Sequence, residues 1–263
     1  METYQLKKII IIILALVNLS LLALLGRNGL QQKNTELQTL QQLQTLYASN
    51  GIDLALSDLP ARTTAASALV SSNSEKEAAF AEALLGSSRA QDSGSATLYS
   101  SDSGTLRFRR NSFFELSMTR PFLSREETLA LFEGLGYTLS DGGIGDTLRL
   151  TQTLSGKVIS GSTAFLIFRD GLLLSASGYY VCGKQDHEAA ELCSAADALS
   201  AFLRYVQENG VVCGSIRSIR PAWQLSAETL FQSTLLPVWL IETDVSFYCA
   251  DISGSRISPL FST

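Results

Sequence analysis

The sequence predicts an α+β fold, with a single N-terminal transmembrane helix followed by units in which a helix precedes an antiparallel sheet. Three observations predict it. Residues 9–25, IIIIILALVNLSLLALL, are apolar apart from Asn18 and Ser20. Two helical patterns open on Ser-x-x-acid signatures, Ser124 to Glu127 and Ser194 to Asp197, the spacing of a capping box. Short apolar runs separated by turn residues fill the rest, the pattern of antiparallel strands. Helices gathered on one face of an antiparallel sheet are the α+β solution for such a chain.

The elements follow in order. Residues 1–8 form a short tail ending in Lys7 and Lys8. The seventeen residues of 9–25 rise about 26 Å as a helix, the short end of what spans a bilayer. A cleaved signal peptide competes with this reading, but Leu24-Leu25-Gly26-Arg27 offers no small-x-small site, which favours an uncleaved anchor. Lys7 and Lys8 place the N-terminus inside and the bulk of the chain outside the cell membrane. Asn18 and Ser20 are polar groups set in lipid. They either bond a neighbouring transmembrane helix, for about 1 kcal/mol or less, or are tolerated against their own helix carbonyls.

A first extracytoplasmic unit covers 28–119. Leu30, Leu37, Leu40, Leu43 and Leu46 mark one face of a helix that Asn50-Gly51 ends. The repeat is too short to prefer a coiled coil, so packing on the following sheet is expected. A short strand lies in 51–60, then a strand and a helix from Ser74 to Leu85 ended by Gly86. A hairpin follows, turning at Ser101-Asp102-Ser103-Gly104 between Leu98-Tyr99 and Leu106/Phe108.

A second unit covers 120–263. Its first helix carries Leu129, Phe132 and Leu135 on one face. Strands follow at 146–154, 157–168 and 171–181, the last two joined by Asp170-Gly171, a strong hairpin signal. The second helix carries Leu199, Phe202, Leu203 and Val206 and ends at Gly210. The chain closes on PVWLIETDVSFYCADISG, 237–254, two strands with a turn at Thr243-Asp244 and another at Asp251–Gly254. The order helix then strands occurs over 120–190 and again over 194–263, which suggests an internal duplication. Trp239 and Tyr248 sit at strand positions where aromatics are more often core than interface.

Composition narrows function. The net charge is −5 and the pI near 5.0, so nucleic acid is not an expected partner, there being no evident basic surface for phosphates. His187 is the single histidine. It lies between Cys182 and Cys193, a spacing that fits no zinc motif and reads more simply as a loop. Cys182, Cys193, Cys213 and Cys249 all fall in the exported half, where two disulfides compete with four buried thiols. H-E-x-x-H, G-x-S-x-G, S-x-x-K and the phosphate-binding P-loop are missing, and the glycines of DGGIGDT, 141–147, lack dinucleotide spacing. No catalytic residue, metal, cofactor or small-molecule substrate is expected, and the chain is not read as an enzyme.

The order of tail, span and helix leading into YASNGIDLALSDLP resembles the YycI and YycH type regulatory proteins. So do EAAFAEALLG before TLYSSDSGTLRF, and the ending with Pro237, Trp239, Ile241, Thr243, Tyr248, Asp251 and Gly254. The length is closer to YycI, and the usual glycine of the first turn is replaced by Asp244-Val245-Ser246. The resemblance implies PepSY-like α+β modules on a bitopic membrane protein that adjusts a sensor histidine kinase of the WalK (YycG) type. That two-component system controls cell-wall metabolism, and the contacts run through transmembrane and extracytoplasmic surfaces, with a companion YycH-like protein as a second partner. The closing hairpin is then expected at an edge of the module. An anchored binding module for a cell-wall component or peptide is the alternative. A septal structural protein would need a longer coiled coil.

Overall fold

A computed structural model describes residues 37–60, 64–140, 145–226 and 232–260. Among them, helix α1 (37–49) leads into β1 (Asp53–Leu54) and β2 (Thr64–Val70). Helix α2 (Ser74–Leu85) precedes β3 (Arg89–Asp92), β4 (Ala96–Ser100), β5 (Gly104–Arg109) and β6 (Phe113–Met118). Helix α3 (Arg125–Gly134) precedes β7 (Tyr137–Leu139), β8 (Thr147–Leu154), β9 (Lys157–Arg169) and β10 (Leu172–Tyr179). After β11 (Lys184–Glu191), α4 (Ala195–Asn209) precedes β12 (Ser215–Ser226), β13 (Thr234–Thr243), β14 (Phe247–Ala250) and β15 (Ile257–Pro259).

Local chemistry sets the helix ends. Asn73 accepts from the Lys76 amide at 3.0 Å, and Gly86 closes α2 through its N–H to Glu82 O. Both capping boxes form, Ser124 with Glu127 and Ser194 with Asp197. Each satisfies two amides that the first helical turn leaves without partners. The predicted hairpins at 101–104 and at Asp170-Gly171 also form. The latter has φ values of 52° and 78°, the positive pair a type I′ turn requires.

The expected fold class is corrected. Strand dominates, and the strands do not close into separate helix-plus-antiparallel-sheet units. They join one large mixed sheet in the order β11-β2-β13-β12-β9-β10-β6-β5-β4-β3, with β8 and β7 continuing from β9, β14 and β15 from β13, and β1 beside β12. The reason lies in β9, which serves three neighbours. It pairs antiparallel with β8 and β10, while Ile159 and Ser160 lie parallel to Trp223 and Gln224 of β12. Gly161, at φ 83°, sits where β9 leaves β12; a Cβ there would lie 3.2 Å from Leu225 O. The expected spanning segment 9–25 lies outside the described residues, and among the described residues no helix is long and apolar enough to cross a membrane.

Two cores hold the sheet. Helices α2 and α3 cover one face of β8, β9, β10, β6 and β5, with Phe80, Phe114, Phe132, Leu150 and Leu166 fully buried. This core draws on residues from both sides of residue 119, Phe80 and Phe114 before it and Phe132 and Leu150 after it. Helices α1 and α4 cover β12, β13 and β14 over Tyr47, Phe202, Ile216, Trp239 and Tyr248. Each large side chain buried this way contributes about 1.5–3 kcal/mol. Two of these aromatics also bond through their polar ends: Tyr47 Oη donates to Leu199 O at 2.6 Å and Trp239 Nε1 to Cys193 O at 2.9 Å.

In α1, Leu40, Leu43 and Tyr47 are buried, whereas Leu37 and Leu46 are exposed and Leu30 lies outside the described residues. Steps of three along a helix drift by about 60° each, so a run of such steps cannot stay on one face. The closing hairpin is also not an edge. β13 pairs with β12, β14 and β2 and is among the most buried strands, and β15 lies beyond β14. The stretch between Cys182 and Cys193, read as a loop around His187, forms β11 against β2.

Candidate interaction face

The half of the sheet under α2 and α3 has a second face, which no helix covers among the described residues. Strand alternation decides what stands there: where Leu148, Leu150, Leu166, Phe108 and Leu116 point into the core, their neighbours point out. The registers line those neighbours up across strands. Arg149 lies opposite Phe165, Phe165 opposite Ser177, Ser177 opposite Glu115, Glu115 opposite Arg107, and Arg107 opposite Leu98. The next row runs from Thr147 and Ile167 through Ser175 and Ser117 to Thr105 and Ser100, with Arg89 at its end. Arg169 closes β9 on the same side.

Charge is segregated across this sheet. Among the described residues, Arg89, Arg107, Arg109, Arg149 and Arg169 share the open face of these strands with one carboxylate, Glu115. The helix side carries Glu75, Glu77 and Glu82 on α2 and Glu126, Glu127 and Glu133 on α3, against Lys76 and Arg125. The absence of a basic surface, expected from the net charge, is thus corrected: the sheet collects arginines that the composition averages away.

The arginines lie among rings. Arg109 stacks over Phe113 at 5.2 Å, Arg149 over Phe165 at 5.9 Å, and Phe113 meets Tyr179 edge to face at 5.1 Å. Arg109 Nη2 also reaches Glu115 Oε2 at 3.0 Å, a half-exposed pair of the kind that contributes at most about 1 kcal/mol. Partial burial pushes the Arg149 guanidinium below the ordinary arginine value, since a charge held away from water is disfavoured. Phe165 and Ile167 remain 45% and 42% exposed. Planar guanidinium forks beside exposed apolar rings suit carboxylate or phosphate groups carried on a partly apolar ligand.

The residues singled out from sequence lie elsewhere. Asn18 and Ser20 are outside the described residues. The four cysteines are free thiols spread over three clusters, with Cys193 and Cys213 packing in the same one. Cys182 belongs to the α2–α3 core, Cys213 to the α1–α4 core and Cys249 to a small cluster with Val238 and Leu240, while Cys193 packs beside Trp239. Burial pushes each thiol up. β11 lies between Cys182 and Cys193, and eight extended residues span about 26 Å, far more than a disulfide bridges. No group of three or more metal-ligating side chains occurs among the described residues.

A cavity of about 540 Å³ opens between α2, α3 and β8. Lys76, the one charged residue lining it, already donates to Cys182 O at 2.7 Å, and Gln152 is saturated by Leu135, Ser162 and Val181. The basic face was partly legible: Arg107 and Arg109 alternate with Leu106 and Phe108. Its continuation onto β8 and β9 was not, because only pairing brings those strands alongside.

No protein-family model matches the chain, and no curated protein does. Among solved structures, an uncharacterized protein from Eubacterium rectale ATCC 33656 aligns over 79% of this chain and 85% of its own, at 10% identity and a TM-score of 0.42. The Bacillus megaterium YpeB C-terminal domain aligns over 73% of this chain and 99% of its own, at 9% identity and a TM-score of 0.39. The expected YycI and YycH resemblance finds no support in either neighbour.

Proposed function

We propose that this chain is a membrane-anchored regulator that works outside the cytoplasm by protein–protein contact, without catalysis of its own. Its partner is a sensor histidine kinase of a two-component system, with a YycH-like companion as a second contact. The observation that carries this reading is the open arginine and aromatic face, set on a sheet that two buried cores hold rigid. A rigid, partly apolar, charged surface is what recognition of another protein needs. Anchoring rests on the apolar run 9–25 with Lys7 and Lys8 before it.

The test is co-purification of the full-length chain from membranes, with identification of what accompanies it. A sensor kinase retained by wild type and weakened by Asn18→Leu, or by replacing 9–25 with an unrelated poly-Leu span, supports both the partner and a role for the span. Full association with the replaced span reduces 9–25 to an anchor. Protease added to intact protoplasts should digest the chain beyond about Arg27, and full protection of the C-terminal half refutes the topology.

A further inference from the structure

We infer that the open face of the sheet is the seat of the partner contact and takes an acidic amphipathic segment of a partner protein, apolar along its centre and carboxylate-rich at its flanks. This rests on the reading of the chain as an interaction module and names the chemistry of what it binds. The face is cationic in a chain of net charge −5, and the cations of its rows are all arginine. Arginine meets a carboxylate through two parallel N–H donors, which a flexible ammonium does not reproduce. Arg149 and Arg169 flank Phe165 and Ile167 across β8 and β9, while Arg107 stands three strand steps from Phe165, about 14 Å at ordinary strand spacing.

The apolar centre decides between acidic partners. A polyphosphate or other purely polar polyanion would satisfy the guanidinium groups and leave Phe165 and Ile167 in water. A helix or strand with an apolar stripe between acidic residues covers both. The opposite side of the same sheet is already covered in this way, since α2 and α3 lay apolar residues on the strands and expose glutamates at their flanks. Burial of Phe165 and Ile167 would supply affinity, and charge complementarity would supply register and speed of encounter.

The experiment uses the full-length chain in detergent micelles and a labelled synthetic 18-residue amphipathic peptide with a Leu stripe flanked by Glu, followed by fluorescence anisotropy. The same peptide with Lys for Glu, polyglutamate and polyphosphate serve as comparison probes. The Glu peptide should bind, less tightly as salt rises, and the Lys peptide should not. Arg107→Glu combined with Arg169→Glu should weaken binding about tenfold or more, and Phe165→Ser several-fold. Glu75→Lys with Glu126→Lys, on the helix side, should leave it unchanged. Thermal unfolding of each variant, expected to match wild type because these side chains are exposed, separates lost binding from lost folding. Equal binding of the Lys peptide overturns the proposal. So does equal binding of polyphosphate with no effect of Phe165→Ser, which marks a simple polyanion site. Sedimentation that shows self-association abolished by Arg107→Glu/Arg169→Glu also overturns it, the occupant then being a second copy. A kinase that still co-purifies with Arg107→Glu/Arg169→Glu refutes this surface and leaves the regulator reading standing. Peptide binding as expected with no kinase in the membrane preparation does the reverse.

Discussion

Phe80→Ala should unfold both halves of the chain together. Phe80 is 1% exposed, and its ring lies 4.9 Å from Tyr180, 5.3 Å from Phe114, 5.6 Å from Phe132 and 5.7 Å from Phe108. Removing a buried phenyl ring costs about 3–5 kcal/mol, transfer and cavity together. The site sits toward the middle or upper part of that range, because four rings held by α3, by β5 and β6 and by the chain just after β10 cannot all move in to fill the space. A loss of about 4 kcal/mol is a large share of a native stability of about 5–15 kcal/mol. At about 2–4 °C per kcal/mol for a domain of this size, the midpoint should fall by about 8–16 °C. The assay uses two reporters. Trp223 and Trp239 are the only tryptophans and lie in β12 and β13, away from Phe80. Hydrogen exchange of peptides covering 74–118 reports on the α2–α3 core itself. Since β9 joins that core to β12, and Ile159, Val181 and Trp223 pack in one cluster, both reporters should shift together. A tryptophan transition that stays at the wild-type midpoint while 74–118 loses protection would refute the continuous-sheet argument and restore two independent units.

Three further outcomes can be checked. Ser124→Ala and Ser194→Ala should each cost about 1 kcal/mol in urea unfolding, since each removes an N-cap acceptor and half of a capping box. Two kinds of carboxylate should respond oppositely to pH. Asp244 is held below its ordinary value by the Ser215 and Gly214 amides, so its contribution is present above the ordinary aspartate range and is lost as pH falls through the depressed value; Asp244→Asn should flatten the acid side of the stability curve. Burial pushes Glu77 up, so its carboxyl favours the fold below its ordinary value and that advantage is lost as pH rises through the raised one; Glu77→Gln should therefore gain on wild type toward neutral pH, and an unchanged difference across pH would contradict the burial argument. Finally, mass spectrometry of the non-reduced protein should show no peptide linking Cys182 to Cys193, and alkylation before unfolding should reach Cys193 first, the other three thiols being buried.

The features legible in the sequence are those that short-range interactions decide. A capping box spans three residues and a type I′ turn two, so Ser124, Ser194 and Asp170-Gly171 announce themselves without knowledge of the rest of the fold. The buried stripe of α4 was readable for the same reason, since Leu199, Phe202, Leu203 and Val206 follow the helical period alone. What only the tertiary structure decided is how the strands combine. The pairing of β10 with β6 joins Ser177 to Glu115, and that of β9 with β12 joins Ile159 to Trp223. Partners some sixty residues apart leave no local mark, because any half-buried strand shows the same alternation whichever neighbour it takes. The basic face follows from those pairings. Arg107 and Arg149 are ordinary surface residues in the linear chain and become one charged row when β5, β6, β10, β9 and β8 align. Net charge sums over the whole chain and cannot register that α2 and α3 carry six glutamates while five arginines share the other face of the same strands.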